Sequence, residues 1–355
     1  MHRWPLAVPL AALALLAAAL ALPVGGALTL LCGVALVGAV LAAVHHAEVV
    51  AHRVGEPFGT LVLALAVTII EVALIVSMML SGGPEKAALA RDTVFSALMI
   101  IVNGVVGLCL VVGSLRHREQ SFRSEGAGPA LAALLALSTL VLVLPTFTTS
   151  TPDHTYSTAQ LAFAAVASLA LWGVFVFVQT VRHRDYFLPP EGTGGPEDHA
   201  APPTARQAWL SFALLLASLV AVVGLGKVLS PAIEAGLTAV GAPAPVLGIA
   251  ISMIVLLPET WAAARAALAN RLQTSMNLAL GSGLASIGLT VPAVALASVL
   301  VGRPLILGLE AKDMVLLALS FGVGTITLGT GRTNLMQGAV HLVLFATFLF
   351  LAFFP

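Results

Sequence analysis

Charge is scarce in this chain. Only 9% of its 355 residues are Asp, Glu, Lys or Arg, against about a quarter in an ordinary soluble domain, which excludes a solvated globular surface. Lys+Arg and Asp+Glu are equal at 16 each, so no surplus of either sign points to nucleic acid or an acidic partner. Cysteine is nearly absent. Cys32 and Cys109 both fall inside apolar runs, which leaves no disulfide framework and no metal-ligand spacing and makes them packing residues. Also missing are a Walker motif, Gly-x-Ser-x-Gly, His-Glu-x-x-His and paired aspartates. Their absence argues against direct ATP coupling and leaves an intramembrane hydrolase without a nucleophile or metal triad.

What the chain has in abundance is apolar sequence. Hydrophobic residues make up 59% and the mean hydropathy is +1.04, values that belong to an integral membrane protein whose partner is the lipid bilayer. Apolar runs of about 20 residues, the length that crosses a hydrocarbon core, recur between short polar breaks. Eleven are expected, near 5–22, 24–44, 57–80, 93–115, 129–149, 158–181, 207–229, 244–269, 273–301, 311–330 and 333–353. The basic start and Ala/Leu run at the N-terminus also describe a signal peptide cleaved near Ala21, but the expectation is a retained first helix. "RPLILGLEAKDM" before the tenth run reads as loop or helix start.

Lys and Arg in the breaks set the orientation, since cytoplasmic loops are enriched in them. With the N-terminus inside, the inner breaks hold eleven of these residues and the outer ones five: Lys86, Arg91, Lys227, Arg303 and Lys312. The N-terminus is therefore placed in the cytoplasm and the C-terminus outside the cell (cytoplasmic, inner) membrane. The longest break, 182–206, is rich in Pro, Gly and charge and reads as a cytoplasmic linker between halves at 24–181 and 207–355, with residues 1–23 as an extra N-terminal helix.

Two apolar runs carry a carboxylate deep inside. Glu71 lies in "GTLVLALAVTIIEVALIVSMML", 14 residues after Pro57, and Glu259 lies 15 after Ala244. A charge near the bilayer centre costs about 3 kcal/mol on the mildest scale, so such residues are functional by default. The second acidic helix (244–269) comes five runs after the first (57–80), an odd number, so they cross in opposite directions. That is the layout of an inverted repeat whose ion site forms where the halves meet. The expected fold is therefore all-α, with runs two to six pairing with seven to eleven. The runs after each acidic helix place Ser96 and Asn103 in the first half, and Asn277, Ser282 and Ser286 in the second, at membrane depth. Their oxygens are neutral ligands for a hard cation, with interhelical hydrogen bonding as the equal alternative. Pro258 and the Gly281 to Gly283 stretch are candidate kinks that free carbonyls toward an ion.

The stretches "AEVVAHRVGEPFGTLVLALAVTIIEVALI" at 47–75 and "MIVLLPETWAAARAALANRLQTSMNLALGSGLASIGLTVP" at 253–292 resemble the two alpha-repeat regions of the calcium/cation antiporter superfamily, most closely its ChaA-type branch of calcium, sodium and potassium/proton antiporters. The resemblance covers nearly the whole chain. It implies two inverted five-helix halves in which cation and proton compete for Glu71 and Glu259. In the calcium-exchanger branch an Asn stands three residues before each glutamate; here those positions are Thr68 and Leu256. Thr68 offers an oxygen and Leu256 does not, so monovalent exchange stays open beside calcium.

The chemistry follows from competition. A carboxylate removed from water favours its protonated, neutral form, and a cation beside it favours the ionised form and displaces the proton. No cofactor is called for; Ca2+, Na+ or K+ and H+ are the substrates. "VHHAEVVAH" at 44–52, between the second and third runs, raises a second question. His45, His46, Glu48 and His52 lack zinc-protease adjacency and are expected in a solvated loop, with a pH sensor or cation access site as the rival reading. Glu48 and Glu56 would form an acidic mouth; Glu310 and Asp313 lie near the outer face with Lys312 between them. A cation channel is the other transport reading, but channels usually repeat an acidic or carbonyl ring across identical subunits, whereas here the acids come once per half. A homo-oligomer has no support in the sequence.

Overall fold

A computed structural model describes residues 4–22, 25–55, 58–81, 86–188, 203–239 and 241–354. Among them are eleven long helices: α1 Trp4–Ala21, α2 Ala27–Val54, α3 Phe58–Ser81, α4 Leu89–His117, α5 Ser124–Phe147, α6 Thr158–Arg182, α7 Ala205–Ala239, α8 Pro245–Leu268, α9 Leu272–Val301, α10 Ala311–Gly329 and α11 Leu335–Phe353. Ten of them are long and apolar enough to cross a membrane, and α3 holds the apolar stretch Leu65–Met79. The protein is a multi-pass membrane protein.

Three helix starts share one polar device. Ser157 with Gln160 before α6, Thr204 with Gln207 before α7, and Asn334 with Gln337 before α11 each exchange side-chain and backbone hydrogen bonds across three residues. These boxes satisfy amides that the first turn leaves without partners.

Two expected boundaries move. Residues 44–52 are not a loop but the last turns of α2, which continues to Val54. His46 Nε2 bonds the Pro5 carbonyl at 2.8 Å and the His45 ring lies 5.3 Å from that of Trp4, so α1 covers this end of α2 and polar residues stay helical there. Helix α7 runs ten residues beyond the expected 229 because its added charge is paired. Glu234 accepts from Lys86 Nζ at 2.5 Å and from Ser230 Oγ at 2.8 Å.

The chain forms two compact units. The first, residues 1–86 and 200–255, packs α2 against α1, α3 and α7, and α3 against α7. A Cβ at Gly226 of α7 would lie 2.6 Å from Leu74 Cδ2, and one at Gly224 would lie 2.4 Å from Leu16 Cδ2. These glycines let α3 and α1 seat closely, as small residues do at membrane helix crossings.

The second unit, residues 87–199 and 256–355, has its loops sorted to two ends. At one, strands β1 (Gln120–Ser121) and β2 (Arg332–Thr333) pair antiparallel, Gln120 opposite Thr333. Gln120 Nε2 donates to the Ala267 carbonyl at 2.8 Å, and Asn277 Nδ2 to that of Phe187 at 2.6 Å. At the other, amides of Ile306, Gly308 and Leu309 donate to carbonyls of Ala87, His154 and Leu142 at 3.0, 3.0 and 2.8 Å. Tyr156 anchors the same end by donating its hydroxyl to the Leu140 carbonyl at 2.6 Å, and burial pushes its phenol up. Consequently α4, α6 and α10 run one way and α5, α9 and α11 the other. The "RPLILGLEAKDM" stretch is loop as far as Glu310, with α10 starting at Ala311.

Candidate cation site

Glu71 lies in the first unit. It is 4% exposed, on the α3 face that also buries Thr68 and Leu74. The opposite stripe, Leu65 and Ile69, is 44% and 50% exposed, the signature of a lipid-facing surface. Glu71 therefore points into protein, and the Leu74 to Gly226 contact one turn on holds that face against α7.

Glu259 lies in the second unit on α8, with the same arrangement around it. Met253 and Leu257, six and two residues before it, are 47% and 49% exposed, as are Leu65 and Ile69 six and two before Glu71. Thr68 and Leu256, three before each acid, are both buried. Glu259 itself is half-buried, and Ser282 Oγ donates to its Oε1 at 3.4 Å. Pro258 does not break α8, and the Gly281 to Gly283 stretch is regular helix. Gly283 serves packing instead: a Cβ there would lie 3.3 Å from Leu134 and 3.6 Å from Ile101.

The helical irregularities lie elsewhere. α4 widens into a π-segment at Ile100–Val105 and α9 at Ser286–Thr290; further π-segments occur at Thr139–Val143 in α5 and Val178–Arg182 in α6. Such bulges often mark functional sites because they leave the regular hydrogen-bond ladder. Asn103 sits in the α4 segment and Ser286 opens the one in α9; both are buried, as is Ser96.

Asn103 is engaged inside the second unit: its Nδ2 donates to Ser320 Oγ at 2.8 Å, and its Oδ1 faces His341 Nδ1 at 3.3 Å. Asn277, bonded to Phe187 and Gln273, is likewise engaged. Ser320, Thr327 and His341 form a buried polar group that the sequence reading passed over. The available signal was an imidazole alone in the apolar run of α11, which by the rule applied to Glu71 marks a functional residue.

His45 and His46 fasten α1 and α2, while Glu48 is exposed. Glu56 lies outside the described residues. No group of three or more His, Cys, Asp or Glu able to hold a metal occurs among the described residues. Two further buried charges are Lys86, paired with Glu234, and Asp92, which accepts from Arg91 Nη2 at 2.8 Å. Arg91 also donates to the Gly308 carbonyl, so Arg91 ties its own helix to the loop before α10.

Replacing Ser282 by Ala removes one donor from Glu259. The expected result is a cation KM raised about fivefold with Vmax little changed, the scale of one ordinary hydrogen bond. Initial exchange rates against cation concentration check this.

Helices of this kind carrying one inward glutamate at matching positions define a polytopic cation-transport fold, and the comparisons agree. The family described as sodium/calcium exchanger protein matches residues 24–181 and 210–354, and the chain belongs to that family. It is 52% identical over 324 residues to a putative ionic transporter of Sinorhizobium fredii, covering 90% of this chain and 87% of that protein. It is 36% identical over 334 residues to the sodium-potassium/proton antiporter ChaA of Escherichia coli, covering 94% and 90%. Among solved structures, the H+/Ca2+ exchanger CAX superposes with a TM-score of 0.72 at 15% identity, covering 98% of this chain and 87% of that one. At that identity the likeness is one of fold.

Proposed function

We propose that the protein is a secondary cation/proton antiporter, exchanging Ca2+, Na+ or K+ for H+ by alternating access, with Glu71 and Glu259 as the carboxylates that bind either ion. The observation that carries this is the matched placement of the two acids: one per sequence half, each turned away from a lipid-facing stripe at the same helical offset. A carboxylate shielded from water holds a proton until a cation stabilises its charge, so loading one ion expels the other. Ser282 adds an oxygen beside Glu259; Thr68 lies three residues before Glu71 on its buried face, and Ser96 and Ser286 lie in the helices that follow the acidic ones in sequence. Cations are substrates here, and the reading calls for no cofactor and no catalysed bond change.

The two-part family match and the opposed directions of α4 and α9, α5 and α10, and α6 and α11 support an inverted repeat of 24–181 and 207–355, with α1 outside it and 182–206 as the linker. The Lys and Arg distribution supports a cytoplasmic N-terminus and an external C-terminus in the cell membrane.

Everted vesicles test the reading. With a preset pH gradient, voltage clamped near zero and a pH-sensitive dye, addition of Ca2+, Na+ or K+ is expected to collapse the gradient. The rate should fall as the medium is acidified, because protons then occupy the carboxylates. Current without proton movement would make the protein a channel and overturn the proposal.

A further inference from the structure

The buried group around Asn103 has a single consistent direction of hydrogen bonding. Ser320 Oγ donates to the Leu316 carbonyl at 2.7 Å and accepts from Asn103 Nδ2 at 2.8 Å. Asn103 Oδ1 must then accept, so His341 Nδ1, 3.3 Å away, carries the proton. His341 Nε2 lies 3.1 Å from the Thr327 hydroxyl. The chain joins α10, α11 and α4 with each of these groups buried to 2% or less.

This chain bears on the π-segment of α4 from one side. A Cβ at Gly104 would lie 3.4 Å from the Phe345 ring, and one at Gly107 would lie 2.9 Å from His341 Cβ, so α11 presses directly on the segment. From the other side Ile101 packs at Gly283 of α9, next to Ser282, whose hydroxyl reaches Glu259. Named contacts therefore run from His341 through the α4 π-segment to the hydroxyl beside the acid.

Resting on the antiport reading, we propose that His341 is a positioning residue for exchange: its Nδ1–H holds Asn103, and through it the α4 π-segment, in register against Gly283 of α9. Asn103 belongs to this brace and does not ligate the cation. Because the brace touches no substrate, its loss changes turnover and leaves cation affinity alone.

The two sides of the imidazole can be replaced separately. Asparagine reproduces a donor at the Nδ1 position, whereas glutamine reproduces the more distant Nε2 position and leucine reproduces neither. Vmax and cation KM are measured in reconstituted vesicles for wild type, His341→Asn, His341→Gln, His341→Leu and Asn103→Ala, with thermal unfolding recorded for each. The expected result is Vmax lowered about tenfold in His341→Leu, His341→Gln and Asn103→Ala, the scale of a buried acceptor left without its donor. KM stays within about twofold throughout, and His341→Asn keeps at least about half of wild-type Vmax. Equal loss in His341→Asn and His341→Gln, tracking their unfolding temperatures, would reduce His341 to packing and overturn the proposal. A KM raised about tenfold in Asn103→Ala would make Asn103 a ligand and overturn it too. Wild-type vesicles that move no protons on cation addition would instead sink the antiport reading itself, and the two failures are told apart by that control.

Discussion

Glutamine in place of Glu71 or of Glu259 is expected to abolish cation-driven proton movement, leaving rates at the level of vesicles without protein. Glutamine keeps the shape and hydrogen-bonding reach of the side chain while removing the ability to carry a proton or a negative charge, so packing survives and exchange does not. The loss should exceed about a hundredfold, since a neutral amide contributes neither half of the ion competition and no nearby carboxylate on the same face of α3 or α8 replaces it. The two variants should insert and unfold like wild type, and could gain stability, because a buried charge is costly to retain. Substantial exchange in a correctly folded Glu259→Gln protein would show that the second half does not carry ions through that acid.

The second large effect is on folding. Gly338 sits where α11 crosses α4, and a Cβ there would lie 2.8 Å from the Val111 amide nitrogen and 2.9 Å from Leu110 Cβ. Backbone cannot swing aside as a flexible side chain can, so Gly338→Val must push the helices apart along the same crossing that seats His341 against Gly107. A cost of about 3 kcal/mol follows from overpacking of this kind, or roughly 4 °C in unfolding temperature for a protein of this size. Gly322→Ala, on α10 with nothing within 4 Å of its added Cβ, is the matched control. It should be neutral or slightly stabilising, because alanine is the better helix former. Thermal unfolding in detergent compares the two directly.

Much of the architecture was legible because lipid imposes a simple rule: a segment must be apolar and about 20 residues long to cross. Each of the eleven long helices among the described residues overlaps one of the expected apolar runs, and the two acids stand out against that background. The rule fails where polar residues are satisfied by a neighbour. His45, His46 and His52 look like loop but extend α2 because α1 covers part of that end, and Lys227 and Glu234 look like the end of α7 but lie within it. Backbone irregularity was invisible for a different reason. Pro258 and the glycines at 281 and 283 are the residues that composition flags as kinks, yet the π-segments lie at Ile100–Val105 and Ser286–Thr290, where no single residue announces them. The role of Asn103 depends on partners 217 and 238 residues away, a pairing no local pattern discloses.

That separation bears on how the protein is made. Asn103 enters the bilayer early in synthesis, while Ser320 and His341 are still untranslated, and its amide must meanwhile sit in hydrocarbon or borrow another contact. Strand β1 likewise waits for β2, its mate from beyond the tenth helix. The second unit therefore closes only when α11 is threaded home, so a chain stalled before that point would display an unquenched amide and a bare strand edge.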